Sequence, residues 1–178
     1  MEKILLHACC APCASYPIIK LIEDNYKPVV FFYNPNIFPL SEYKIRRDEL
    51  KKYCEKLKIE FFEGEYEIKE YYEKIKGFEK EPEKGKRCSV CFYLRLLKSA
   101  QFAQNQGIKY YTTTLSISPH KNSNQIFEEA KKISEIIPVK FLEYNFKKQD
   151  GFKFSRQIAR ENNMYAQKYC GCEFSISN

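Results

Sequence analysis

The chain has 178 residues, enough for one domain that buries a core without disulfide staples. With 44% hydrophobic and 30% charged residues it reads as an ordinary soluble globular protein, and no apolar run approaches the length of a membrane span. A net charge of +7 beside 16% aromatic residues, all of them Tyr and Phe, suits an RNA partner without requiring one.

Met1-Glu2-Lys3 runs straight into strand-like sequence with no signal-peptide pattern, which predicts a cytoplasmic protein. Residues 3–8 read as a short buried strand that ends at Cys9-Cys10-Ala11-Pro12-Cys13. A helix is predicted from Pro12 or Cys13 to about Asp24, with Pro17 confined to its first turns. Residues 28–33 form a second strand, broken by Asn34-Pro35-Asn36. Ser41 is the expected cap of a helix reaching Lys58, on which Leu50, Cys54 and Leu57 share one buried face. Ile59 to Phe62 is a third strand and Tyr66 to Ile75 a charged, Tyr-rich helix. Gly77 to Arg87 has no apolar period and is expected to be an exposed, mobile loop.

Cys88 and Cys91 open the next helix, which ends at Gly107, and a helix N-terminus favours thiolate over thiol. Lys109 to Thr114 is a fourth strand. Asn122 or Ser123 caps a helix to Ile137, and Val139 to Leu142 is a fifth strand. The tail, 150–178, is expected to carry a basic helix from Phe152 to Tyr169, ending at Cys170-Gly171-Cys172. Strands alternating with helices imply a single α/β domain over 1–178, with a five-stranded parallel sheet flanked by helices. The binding crevice of such a sheet lies outside the carboxyl ends of its strands, where Cys9, Cys10, Asn34, Asn36 and residues 116–121 should share one rim.

Seven of the eight cysteines fall in three clusters, which in a reducing compartment points to metal or redox chemistry. Cys54 stands apart, on a core stripe. Cys88/Cys91 with Cys170/Cys172 would satisfy one structural zinc but leave Cys9, Cys10 and Cys13 over, and a thioredoxin-like site would normally follow the first strand. A 4Fe-4S cluster takes thiolates from distant loops, and four of the seven would hold one. The remaining thiols, with a carboxylate such as Asp48 or a histidine, can hold a second metal. His7 reads as a core or orienting residue; for His120 ligand, acid and solvated loop residue stay open. Arg46, Arg47 and Lys121 read by themselves as solvated charges, with Lys121 nearest the rim.

Taken in order, Cys9-Cys10-Ala11-Pro12-Cys13, Tyr33-Asn34-Pro35-Asn36-Ile37, Glu42-Tyr43 with Arg46, Cys88-x2-Cys91 with Arg95-Leu96, Thr113-Thr114-Leu115 with Ser118-Pro119 and Lys121, and Tyr169-Cys170-Gly171-Cys172 make a specific set. It resembles the cobalamin-independent epoxyqueuosine reductases of the QueH family over nearly the whole chain. The resemblance implies a HUP-like domain related to the PP-loop tRNA thiolases, with cysteines where those carry Ser-Gly-Gly-x-Asp-Ser, so that nucleotide binding is not expected to come with the fold. It implies reduction of epoxyqueuosine at the tRNA wobble position, electrons from an external low-potential donor, and a monomer in the cytoplasm.

The expected cofactors are a 4Fe-4S cluster on Cys9, Cys10, Cys88 and Cys91 and a second mononuclear metal, iron or zinc, beside Cys13, Cys170 and Cys172. Cys13, Asp48 and Lys121 are the expected catalytic residues. Tyr33, Asn34, Asn36, Tyr43, Arg46, Ser118 and Lys121 are the expected substrate-binding residues, with Tyr33 and Tyr43 as stacking platforms for the base. Lys and Arg of 147–168 are expected to track RNA phosphates, although the family's Gly-Gly-rich basic segment is replaced here by Gln149-Asp150-Gly151-Phe152.

Overall fold

A computed structural model describes residues 1–176, so the last two residues of the expected domain, 177–178, lie outside the described residues. The apolar alternation of the first strand sets the architecture. Along β1 (Glu2–His7), Leu5 faces one side of the sheet while Ile4 and Leu6 face the other. In β2 (Tyr26–Phe32), Val29 and Phe31 share the side of Leu5, and Val30 and Phe32 the opposite one. Such strands must be covered on both faces.

The helices supply that cover. α1 (Ala11–Glu23) buries Ala11, Ala14, Ile18 and Leu21, a spacing of three and four that makes one stripe. α2 (Leu40–Leu57) buries Leu50 and Cys54 in the same core, as the sequence predicts, but Leu57, expected on the same face, lies in the last turn and is 38% exposed. After β3 (Glu60–Glu63), α3 (Ile68–Ile75) and α4 (Lys86–Asn105) cover the second face, joined beyond β4 (Tyr110–Thr113) by α5 (Ser123–Ser134). A short edge strand, β5 (Lys140–Phe141), precedes α6 (Gly151–Glu161).

The five parallel strands run in the order β3-β2-β1-β4-β5. The winding therefore reverses between β1 and β4, which opens a crevice at their carboxyl ends. His7 pairs with Thr113 there, so the cysteines after β1 meet the 3-10 turn Thr114–Ile117 after β4.

Several boundaries differ from the sequence reading. α2 starts one residue before Ser41 with Pro39 as its cap, whose backbone Pro39 already holds extended, so Ser41 is no cap. Arg87 belongs to α4 and is buried, its guanidinium donating to the carbonyls of Glu79 and Glu81 and lying 4.8 Å from the Phe174 ring. The preceding loop is tied down by that residue. The tail helix ends at Glu161, well short of Tyr169. Asn163 takes a left-handed backbone (φ 51), and Met164 N and Asn163 N close onto Ala159 O and Arg160 O, a Schellman stop. Cys170 and Cys172 thus lie on an irregular strap, 162–172, and the tail helix does not carry them. α6 packs on α1 through Gly151, Ser155 and Ala159; a Cβ at Gly151 would lie 1.8 Å from Phe146 O, so only glycine allows this approach. No helix among the described residues is long and apolar enough to cross a membrane.

Candidate active site

The site begins at Cys10, the extended residue that caps α1. It places Cys9, Cys10 and Cys13 with their sulfurs within 4.8 Å of one another. Cys9 Sγ lies 3.8 Å from Cys10 Sγ and 3.7 Å from Thr114 Oγ1, across the switch point, while Gln167 Nε2 of the strap donates to Cys13 Sγ at 3.7 Å. Hydrogen bonds from Cys10 and Cys13, helped by the charges of Arg95 and Lys121, hold Cys9 well below the usual thiol range against the cost of burial. Burial leads in pushing Cys10 well up. The Cys10 hydrogen bond pulls Cys13 down, yet its bond to Cys9 and its burial together carry it up to about 12. Cys9 is thus the most acidic thiol of the trio.

A second group faces it. Cys88, Cys91, Cys170 and Cys172 line one pocket of about 50 Å³ together with Asn36, Tyr71, Arg87, His120 and Lys121. Burial raises Cys88 and pushes Cys91 up to about 12, so burial outweighs the helix dipole that the sequence reading invoked. Cys170 also borders the neighbouring cavity of about 410 Å³, whose floor holds Cys9, Cys13 and Arg95. The thiols divide as Cys9/Cys10/Cys13 and Cys88/Cys91/Cys170/Cys172, whereas the sequence reading joins Cys9 and Cys10 to Cys88 and Cys91.

Arg95 links the two groups. It lies one turn beyond Cys91 on α4, is buried, and donates from Nη1 towards Cys91 Sγ at 4.0 Å and from Nη2 to Asn34 Oδ1. Asn34 Nδ2 in turn donates to Ala8 O at 2.9 Å, next to Cys9. The sequence reading assigns Arg95 no role, although its four-residue spacing from Cys91 places both on one helix face. Lys121 lines both cavities as expected; burial opposes its charge, but Cys170, Cys9 and Cys13 outweigh burial and raise its pKa.

The other expected residues sort by burial. Asn36 lines the four-thiol pocket with its buried Oδ1 unpaired among the described residues, and Ser118 borders the larger cavity. Asn34 is a strut, spent on Arg95 and Ala8. Tyr33 and Tyr43 are corrected: both rings are buried, with hydroxyls bound to Glu67 and Glu63 at 2.9 Å, so neither is free to stack on a base. Tyr33 continues the alternation of Val29 and Phe31 into the core. Arg46 is corrected too. Its side chain is 0% exposed, paired with Glu42 at 2.7 Å, and donates to Cys170 O and Tyr169 O at 2.9 and 3.1 Å, so it holds the strap and does not meet substrate. Asp48 points away, 63% exposed and bound to Arg47 at 2.8 Å, and joins neither thiol group. His7 is an orienting core residue: its Nε2 donates to Tyr33 O, Nδ1 accepts from Thr113 Oγ1, and burial lowers its pKa to about 3, leaving it neutral.

The chain is similar to known proteins in sequence and in fold. The chain is 38% identical over 176 residues to an epoxyqueuosine reductase QueH of Acinetobacter baylyi, covering 98% of this chain and 81% of the relative. It is 37% identical over 179 residues to that of Thermotoga maritima, covering 99% and 91%. Among solved structures, the U34-tRNA thiolase NcsA from Methanococcus maripaludis with its 4Fe-4S cluster superposes with a TM-score of 0.57, at 15% identity over 98% of this chain and 61% of that one. A predicted subunit of tRNA methyltransferase from Methanocaldococcus jannaschii gives 0.57 at 13% identity, over 90% and 75%. Both share the fold alone. The family model described as Epoxyqueuosine reductase QueH matches residues 4–178. With seven thiols gathered at the switch point and that match spanning almost every residue, the chain belongs to the epoxyqueuosine reductase QueH family.

Proposed function

We propose that the protein reduces epoxyqueuosine in tRNA to queuosine within the cavity floored by Cys9, Cys13 and Arg95. The observation that carries this reading is the convergence of two thiol groups on adjoining cavities that share Cys170 and Lys121. Turning an epoxide into an alkene breaks two C–O bonds, forms one C=C bond, and consumes two electrons and two protons as the oxygen leaves as water. Such a site needs an electron source and proton donors around one hollow.

The donor set fits an iron-sulfur group. Cys88, Cys91, Cys170 and Cys172 offer four soft donors around one pocket, the number a 4Fe-4S cluster takes. Cys9, Cys10 and Cys13 are then left as ligands for a second, mononuclear metal, iron or zinc. When bound, the cluster supplies electrons one at a time from an external low-potential donor, and a neighbouring metal polarises the leaving oxygen. The chain's own residues do the rest. Lys121 holds an ammonium between the thiol groups, where it donates to an oxygen that gains negative charge. Asn36 Oδ1 accepts from a substrate hydroxyl or amine.

Two other readings lose ground. A thiol-disulfide oxidoreductase needs a lowered attacking thiol at Cys88-x2-Cys91, and burial raises both. A structural zinc site would leave the Cys9 trio unexplained. The test is anaerobic incubation of iron-sulfur-reconstituted protein with epoxyqueuosine-containing tRNA and a low-potential reductant. Queuosine should form and depend on bound iron; protein of verified metal content that forms none would overturn the reading.

A further inference from the structure

Arg156 of α6 borders two hollows at once. It lines the thiol-floored cavity together with Phe152, Lys168 and Tyr169, and it lines a separate surface hollow of about 320 Å³ with Arg160 and Asn163. Arg156 and Arg160 are exposed and make no ion pair among the described residues, so both guanidiniums are free to meet an anion. Four residues apart on a helix, their side chains sit about 6 Å from one another, a spacing that lets two guanidiniums meet successive phosphates of a splayed strand. Phe152 is 39% exposed at the cavity mouth, whereas Phe154 is occupied by stacking on Tyr16 at 5.8 Å. The tight α1–α6 seam at Gly151, Ser155 and Ala159 holds this face at the rim.

Resting on the reading that a tRNA base enters the thiol cavity, we propose that α6 is the docking surface for the RNA strand beside that base. Arg156 and Arg160 bind the phosphates of the adjoining nucleotides, and Phe152 stacks on a neighbouring base. The charge of the hollow selects a polyanion, and its continuity with the cavity through Arg156 selects the strand attached to the reacting nucleotide. Phe152 takes the stacking task that Tyr33 and Tyr43, both buried, cannot perform. Guanidiniums next to a base platform suit an unpaired loop better than a duplex, whose bases offer no free face.

The test measures binding of the holoprotein to the anticodon stem-loop of its tRNA across a salt series. Arg156→Gln and Arg160→Gln should each weaken binding about tenfold at low salt and flatten the log–log salt slope by about 0.7. Phe152→Ala should weaken stem-loop binding about tenfold and Phe152→Tyr should restore it, with binding to plain duplex RNA unchanged in both. Lys109→Gln, at the amino-end edge of the sheet, should change nothing, and melting temperature and bound iron should stay at wild-type values in all variants. Wild-type affinity and slope in the arginine variants, or equal loss on duplex RNA in Phe152→Ala, overturns the proposal. Wild-type turnover of epoxyqueuosine tRNA is followed in parallel: its failure overturns the assigned reaction, while normal turnover with unaltered variant binding overturns the docking surface alone.

Discussion

At Arg95 one guanidinium reaches Cys91 on α4 and, through Asn34, the carbonyl of Ala8 beside Cys9. Replacing it by Met removes a charged donor and strands the Asn34 oxygen, a cost of about 2 kcal/mol. Arg95→Met should therefore melt earlier and retain less iron after reconstitution, with Arg95→Lys in between because it keeps the charge and loses the fork; thermal unfolding and iron assay check this. Cys54 is the contrast. It packs in the core with Leu50, away from the other thiols, and Cys54→Ala should cost about 1 kcal/mol while leaving bound iron intact. Burial pushes the Cys54 thiol from 9.0 up to about 12. The unfolded chain then loses this proton first as pH rises, so the stability Cys54 contributes is whole below about pH 9 and falls above it by up to about 1.4 kcal/mol per pH unit. Urea unfolding between pH 8 and 11, wild type against Cys54→Ala, reads that difference directly. Cys54 was legible because helical spacing alone separates it from the ligand set. Arg95 was equally available by spacing, but a buried cation is against the usual rule for arginine and shows itself only once its thiol and amide partners are seen.

Among the elements, the strands and helices followed from apolar period, and the misreadings gather where a polar side chain or a turn decides the outcome. Asn162-Asn163 is a stop signal for α6 that the expected helix to Tyr169 runs straight through. Its consequence is the strap, which Arg46 pins to α2 by its two carbonyl contacts and which Tyr165 reinforces by donating to Glu42 Oε2 at 2.8 Å. Arg46→Met would leave Glu42 buried without its countercharge, a loss of about 3 kcal/mol. The variant should show early proteolytic cleavage within 162–172 and loss of iron. Arg46→Met with Glu42→Met should recover melting temperature but not protease resistance, because the strap carbonyls still lack their donor.

Across the whole molecule, reversal of winding between β1 and β4 places one thiol group on each side of a single crevice. Alternation of strands and helices was sufficient to expect that rim, since ligand position in an open parallel sheet follows from topology. It could not tell which thiols neighbour which, because Cys170 and Cys172 reach the crevice on irregular backbone with no period to read. The observed division has its own test. Cys172→Ser should abolish most bound 4Fe-4S absorbance, whereas Cys13→Ser should keep the visible spectrum and lose turnover; a cluster kept in full by both would restore the division that joins Cys9 and Cys10 to α4. The strap also orders events during synthesis. Phe38 N bonds Gly171 O at 2.9 Å, so the last thiols are seated against a loop made more than a hundred residues earlier. On a ribosome that loop, β1 and the Cys9 trio emerge long before Cys170, and the four-thiol pocket closes only once residue 172 is free. Loading of the proposed cluster therefore waits for chains translated through residue 172.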